Sequence, residues 1–324
     1  MFVISSSNLL RVYGNVKLYP RYLSKFIPRR TLLYVPGCDE RKLRKARKLN
    51  VDLVAFDCED GVALNQKDTA RQRIREMLDC RSWPCSRPEW GVRVNAVSSE
   101  LCYMDLEAIL SGINCPPCIL LPKVNTINEM HWFADTVSNL YSHTSPINLI
   151  VYSETAVSMM NLPKIVNAGI EIGKHSPLNL VALVMGSDDY VADIGATRTK
   201  SCSEIIYARQ RLVMVAKAFE LQAIDMVHID IQDLDGLKKT SEEGAAWGFT
   251  GRQIIHPSQV TIVQAAYSPS VDKIKWATEL IDAFRSHQEL GKGSFVFQNQ
   301  MIDMPTLKQA ENIITLADAT VNHK

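Results

Sequence analysis

The chain has 324 residues, 46% of them hydrophobic and 22% charged, and a formal net charge of +1 at pH 7. That is enough material for one large core or two smaller ones, and Lys and Arg are too dispersed to make the broad basic surface that neutralises nucleic-acid phosphates. No apolar run approaches the roughly 20 residues of a membrane-spanning helix, so neither nucleic acid nor a bilayer is expected as a partner.

The first acidic residue is Asp39. Before it, Arg11, Lys17, Arg21, Lys25, Arg29 and Arg30 alternate with apolar residues and with Ser5, Ser6 and Ser7. A basic, acid-free amphipathic leader of this kind reads as a mitochondrial presequence over residues 1–28, removed after import. Eight cysteines in a chain this long, several of them inside apparent strands or helices, make free thiols in a reducing compartment rather than a disulfide scaffold. The CPPC stretch at 115–118 lacks both a second pair for zinc and the following helix of a redox motif.

From Arg30 onward, short runs rich in Val, Ile and Leu alternate with segments of helical period. Eight strands follow: 31–37, 51–60, 91–97, 118–124, 148–156, 180–189, 222–230 and 252–257. Between them, sets such as Leu43, Ala46 and Leu49, or Ile205, Leu212, Ala216 and Phe219, recur at helical spacing. Eight strands and seven intervening helices in about 230 residues predict a closed (β/α)8 TIM barrel over 29–268. Residues 269–324 are surplus to a barrel. An amphipathic helix with Ile274, Ala277, Ile281 and Phe284 on one face, a Gly-containing loop or hairpin, and a last helix form a C-terminal helical extension. It is expected to pack as an appendage or to act as a lid.

In such a barrel the C-terminal strand ends converge on one face. Asp57, Glu59 and Asp60 end the second strand, Arg93 and Asn95 the third, Lys123 the fourth, Glu154 the fifth, Asp188 and Asp189 the sixth, Asp230 the seventh and His256 the eighth. Glu154 and Asp189 end adjacent strands, and two confined carboxylates need a proton or a cation between them. With oxygen ligands alone that cation is Mg²⁺; the other reading is that these acids simply pair with Arg93 and Lys123. His256, alone before Pro257, is expected as a fold element rather than an acid or base.

The stretches LYVPGCDERKLRKA, AFDCEDGVA, VRVNAV, LLPKV, ETA, GSDDYVADIGATRTK, IIHPSQV and MIDMPTLKQA, in this order and spacing from Arg29 to about residue 318, resemble the citrate lyase β-like proteins of the citrate lyase β subunit/malyl-CoA lyase family. The resemblance implies an Mg²⁺-dependent lyase that cleaves a CoA thioester, (S)-citramalyl-CoA, to acetyl-CoA and pyruvate by retro-Claisen chemistry. It implies Glu154 and Asp189 as metal ligands, Arg93 on the substrate, and Tyr34, Arg41, Lys45, Ile255 and His256 around the CoA ester. Asp303 would be the acid/base, carried by the lid of a neighbouring subunit in a homotrimer of the mitochondrial matrix. Asp188 stands where the family usually has Glu, and Arg41 where it usually has Lys. Asp188, on an extended backbone beside Asp189, is then expected to orient water or a neighbouring cation. Two rivals use the same residues differently: malyl-CoA cleavage or malate synthase-like condensation of glyoxylate with acetyl-CoA followed by thioester hydrolysis, and a non-catalytic CoA-binding protein.

Overall fold

The computed structural model describes residues 27–80, 88–289 and 295–321; most of the basic leader, Met1 to Phe26, lies outside them. The chain divides into a unit spanning Arg29–Ser270 and a C-terminal unit from Val271.

The first unit is a closed barrel of eight parallel strands in sequential order: β1 (Thr31–Pro36), β2 (Leu53–Asp57), β3 (Glu89–Arg93), β4 (Cys118–Leu121), β5 (Ile147–Ser153), β6 (Leu178–Met185), β7 (Gln222–Asp225) and β8 (Gly251–Ile254). All eight expected strands are present. Alternation along each strand divides two cores. Leu32, Leu53, Ala55, Leu120, Ile150, Tyr152, Val184 and Ile224 fill the interior. Leu33, Val54, Phe56, Trp90, Val92 and Leu183 face the surrounding helices. Those helices are α1 (Glu40–Ala46), α2 (Lys67–Asp79), α3 (Leu101–Leu110), α4 (Ile127–Leu140), α5 (Ala156–Ile172), α6 (Ser187–Asp193), α7 (Ile206–Ala218), α8 (Leu234–Trp247) and α9 (Val260–Ala266). The strands are shorter than their apolar runs. The sixth stops at Met185, so Asp188 and Asp189 lie in the first turn of α6 rather than on extended backbone. The seventh stops at Asp225, so Asp230 is a loop residue.

The N-terminal end of the barrel is plugged by polar groups. Arg29 forms a bidentate pair with Glu89 at 2.6 and 2.8 Å, Asn148 donates to the same carboxylate at 2.9 Å, and the Arg29 N–H donates to Gln222 Oε1 at 3.2 Å. Arg30 clasps Asp52 with its main-chain N–H and its guanidinium, and reaches Ser268 Oγ at 2.7 Å. Buried charges need such complete pairing. Gly251 allows this plug to sit close, because a Cβ there would stand 1.9 Å from the Arg29 carbonyl oxygen.

The C-terminal unit comprises α10 (Val271–Glu289), a hairpin of β9 (Phe295–Phe297) and β10 (Gln300–Ile302), and α11 (Met304–Val321). Gln298 and Asn299, both at positive φ, make the two-residue turn that matches strand twist. Ala277, Leu280, Phe284, Ile302 and Ala310 form its core.

Because the neighbour of Gly251 is main chain, which cannot rotate away, Gly251→Ala should destabilise the barrel by about 1–3 kcal/mol in urea unfolding; an unchanged midpoint would mean that the plug is not rigid.

Candidate active site

The rim of the barrel is organised by Arg93, the last residue of β3. It is the register partner of Asp57 across β2 and β3, so the two side chains point inward together. Nε and one terminal nitrogen donate to the two Asp57 oxygens at 2.7 Å each, and the other terminal nitrogen lies 2.9 Å from Glu59 Oε2. The guanidinium also stacks 4.6 Å from the Tyr34 ring. Burial works against this charge, but Asp57, Tyr34 and Glu59 hold its pKa well above the ordinary guanidinium value. Asp57 is itself fixed by the N–H groups of Glu59 and Gly61, both at 2.9 Å.

Behind this pair, the buried Lys67 ammonium donates to the carbonyls of Cys58 and Glu59 at 2.6 and 2.8 Å and to Asn95 Oδ1 at 2.9 Å. Asn95 in turn donates to Asp105, which also accepts from Arg71 at 2.8 Å. The loop after β2 is thereby held at both main chain and side chain. Below Arg93, the Tyr34 hydroxyl lies 2.6 Å from the Tyr152 hydroxyl and donates to Gln253 Oε1 at 2.8 Å. Gln253 Nε2 donates to the Met185 and Asp225 carbonyls. The ring under Arg93 is therefore fixed from three strands.

Glu154 follows β5 directly and is 3% exposed. Its Oε2 accepts the Lys123 main-chain N–H at 2.7 Å. Gly186 lets the side chain lie against β6, since a Cβ there would meet Glu154 Cγ at 2.2 Å and Oε1 at 2.3 Å. Burial, then Glu59 and Asp189, push the Glu154 carboxyl up to about 8. The Lys123 ammonium donates to Glu59 Oε1 at 2.5 Å and reaches Asp60 at 3.1 Å.

This donor set fits a hard divalent cation. Glu154 keeps Oε1 beyond its single main-chain bond, and the half-buried Asp189 is close enough to raise its pKa. Among the described residues no three His, Cys, Asp or Glu side chains are grouped to hold a metal. A cation here would take two carboxylates and complete its shell with water and substrate oxygens, as Mg²⁺ does.

The remaining candidates are dispersed. Arg41 and Lys45 are exposed one turn apart on α1, a spacing suited to phosphate oxygens. Ile255 is exposed after β8. His256 caps the turn at 257–259, its Nδ1 accepting the Ser258 N–H at 3.2 Å, which is the fold role expected of it. Asp188 pairs with Arg198. Asp230 accepts the Gln232 N–H in its loop, while strand seven's own terminal acid, Asp225, is buried against Arg209 of α7 at 2.6 Å. Asp303 lies in the C-terminal unit at the start of α11, where bonds from the Thr306 hydroxyl and N–H lower its pKa. Lys67, Tyr152 and Gln253 were not singled out from the sequence. Strand alternation places the last two inside the barrel; Lys67 has no comparable signal.

Residues 30–257 match the HpcH/HpaI aldolase/citrate lyase family. The chain belongs to this family. It is 51% identical over 296 residues, 90% of this chain and 86% of the relative, to the human protein named citramalyl-CoA lyase, mitochondrial. To the (3S)-malyl-CoA thioesterase of Cereibacter sphaeroides it is 30% identical, over 90% of this chain and 95% of the relative. Among solved structures, protein CitE from Mycobacterium tuberculosis in complex with magnesium, acetoacetate and coenzyme A is similar at 30% identity and a TM-score of 0.72, covering 90% of this chain and 98% of that one. Within the family fold, the barrel rim is the face where chemistry is placed.

The Glu154 shift has a sign that can be checked. With its folded pKa of about 8 above the ordinary 4.5, the folded state keeps a proton that the unfolded state has lost, so stability falls as pH rises between those values. In EDTA, the melting temperature should fall more steeply from pH 5 to pH 8 for the wild type than for Glu154→Gln; parallel curves would show that Glu154 is not held protonated.

Proposed function

We propose that the chain is a mitochondrial-matrix lyase that cleaves (S)-citramalyl-CoA to acetyl-CoA and pyruvate. The observation that carries this reading is Glu154, a buried carboxylate with one oxygen committed to main chain, the other unspent, and Asp189 beside it. Its support is the 51% identity to human citramalyl-CoA lyase and the magnesium and coenzyme A in the complex of the Mycobacterium tuberculosis relative.

Glu154 and Asp189 would hold Mg²⁺, whose contribution is Lewis-acid polarisation of the hydroxyl and carboxylate oxygens of the substrate. Arg41 and Lys45 offer cations for the CoA phosphates. Tyr34, Ile255 and His256 would line the ester pocket. Arg93, already oriented by Asp57, Glu59 and Tyr34, offsets negative charge that develops on the thioester oxygen as the carbon–carbon bond breaks, without reorganising.

The reaction removes a proton from the carbinol oxygen and adds one to the acetyl carbon, so one carboxylate can serve both steps. Asp303 is the proposed group. Its hydrogen bonds with Thr306 favour the ionised form, which suits it to take the first proton and return it to carbon. It would be supplied by the C-terminal unit acting as a lid, from a neighbouring subunit of a homotrimer. Residues 1–28 would be the import sequence, followed by a barrel domain to 268 and the lid from 269.

The relative named (3S)-malyl-CoA thioesterase supports a second reading at the same site. Malyl-CoA cleavage, or glyoxylate condensation with acetyl-CoA followed by thioester hydrolysis, would be a side activity.

With Mg²⁺, the purified full chain should release pyruvate from (S)-citramalyl-CoA, and excess EDTA should stop it. Folded protein that releases none would sink the assignment. Asp303→Ala should lower kcat by about 10²- to 10⁴-fold while calorimetry shows unchanged Mg²⁺ binding; loss of binding as well would remove Asp303 from the acid/base role.

A further inference from the structure

Lys123, just after β4, has φ of 55°. A residue with a Cβ is costly in the left-handed region and stays there only when its surroundings hold it. Both ends of Lys123 supply such contacts. Its N–H donates to Glu154 Oε2 at 2.7 Å. Its ammonium donates to Glu59 Oε1 at 2.5 Å and to Asp60 at 3.1 Å, and Glu59 meets Arg93 at 2.9 Å.

A side chain that is 30% exposed gains little from ion pairing alone, and the bond to Glu154 does not depend on the ammonium at all. The residue therefore performs two separable tasks. We infer that Lys123 is a positioning residue: its strained main chain commits Glu154 Oε2 so that Oε1 faces the cation, and its ammonium fixes Glu59 and, through it, Arg93. This rests on the reading of Glu154 and Asp189 as cation ligands.

Glycine separates the two tasks. Lys123→Gly adopts left-handed backbone without steric cost and loses the ammonium; Lys123→Met loses the ammonium and keeps the strain; Lys123→Arg keeps a cation. The probe is Mn²⁺ followed by water-proton relaxation on the full chain, with melting curves to establish folding. Removing a positive charge near a cation site strengthens binding equally in the Gly and Met variants, so their ratio reads the main-chain task alone. Lys123→Gly should bind Mn²⁺ about five- to tenfold more tightly than Lys123→Met.

Turnover of (S)-citramalyl-CoA reads the other task. Gly and Met variants should both lose about 10- to 100-fold in kcat, with KM changed by less than about threefold, and Lys123→Arg should recover about half of the logarithmic loss. Equal Mn²⁺ affinities of the Gly and Met variants, or wild-type kcat in the Gly variant, would overturn the inference. Wild-type protein that binds no Mn²⁺ would overturn the reading of the site, and this inference with it. Should the Met variant not fold, the unstrained Gly variant still decides through its kcat.

Discussion

The register of β2 against β3 is the constraint on which the mouth of the barrel depends. It makes Asp57 and Arg93 direct partners, and their bidentate pair is linked through Glu59 and Lys123 to Glu154. Slipping one strand by one residue would turn every inward side chain outward, so the Asp57–Arg93 pair and that strand's share of the barrel interior, such as Leu53 and Ala55, would be lost together. Arg93 and Lys123 meet a rim with many more carboxylates than cations. An arrangement with that imbalance is stable only if each charge has defined contacts, which is why the residues behind the rim, Lys67, Asn95 and Asp105, are as specifically bonded as those on it.

Much of this was legible in the sequence. The apolar runs rich in Val, Ile and Leu marked eight strands because parallel strands are covered on both faces, and polar residues ending those runs marked the rim. What escaped has physical reasons. The run into Asp189 reads as one strand, yet Gly186 breaks it and Ser187 begins a helix whose acidic first turn suits the helix dipole. Lys has no preference for the left-handed region, as Gly or Asn does, so nothing around Lys123 announces its backbone. Asp225 and Asp230 look alike in the stretch IDMVHID. Only the partner of Asp225, an arginine on a helix upstream, decides which of them the fold buries. Asp303 carries two compatible signals, since an Asp just before Met304 and Pro305 is both a helix cap and a candidate acid/base; the cap is what its hydrogen bonds display.

The two ends of the barrel divide their labour. The C-terminal rim tolerates charge imbalance and strain for the sake of chemistry, whereas the N-terminal end has stoichiometric pairs, Arg29 with Glu89 and Arg30 with Asp52, that serve stability. That division is general for barrels of this kind, and here it extends to the main chain. The positive-φ lysine is at the rim; the glycine that admits a close backbone contact is at the plug.

The plug also sets a schedule. Arg29 needs Gln222, Arg30 needs Ser268, and β1 closes onto β8 through Leu32 with Gln253. These are contacts between the beginning of the unit and its end, and loop closure over such separations is slow. A chain that emerges amino end first can pair Arg29 with Glu89 and Arg30 with Asp52 early, but it carries an open β1 edge, and both arginines lack their contacts to Gln222 and Ser268, until nearly the whole barrel is available. The first strand is then among the last to be covered on both edges, so the ring is sealed only when its eighth strand is in place.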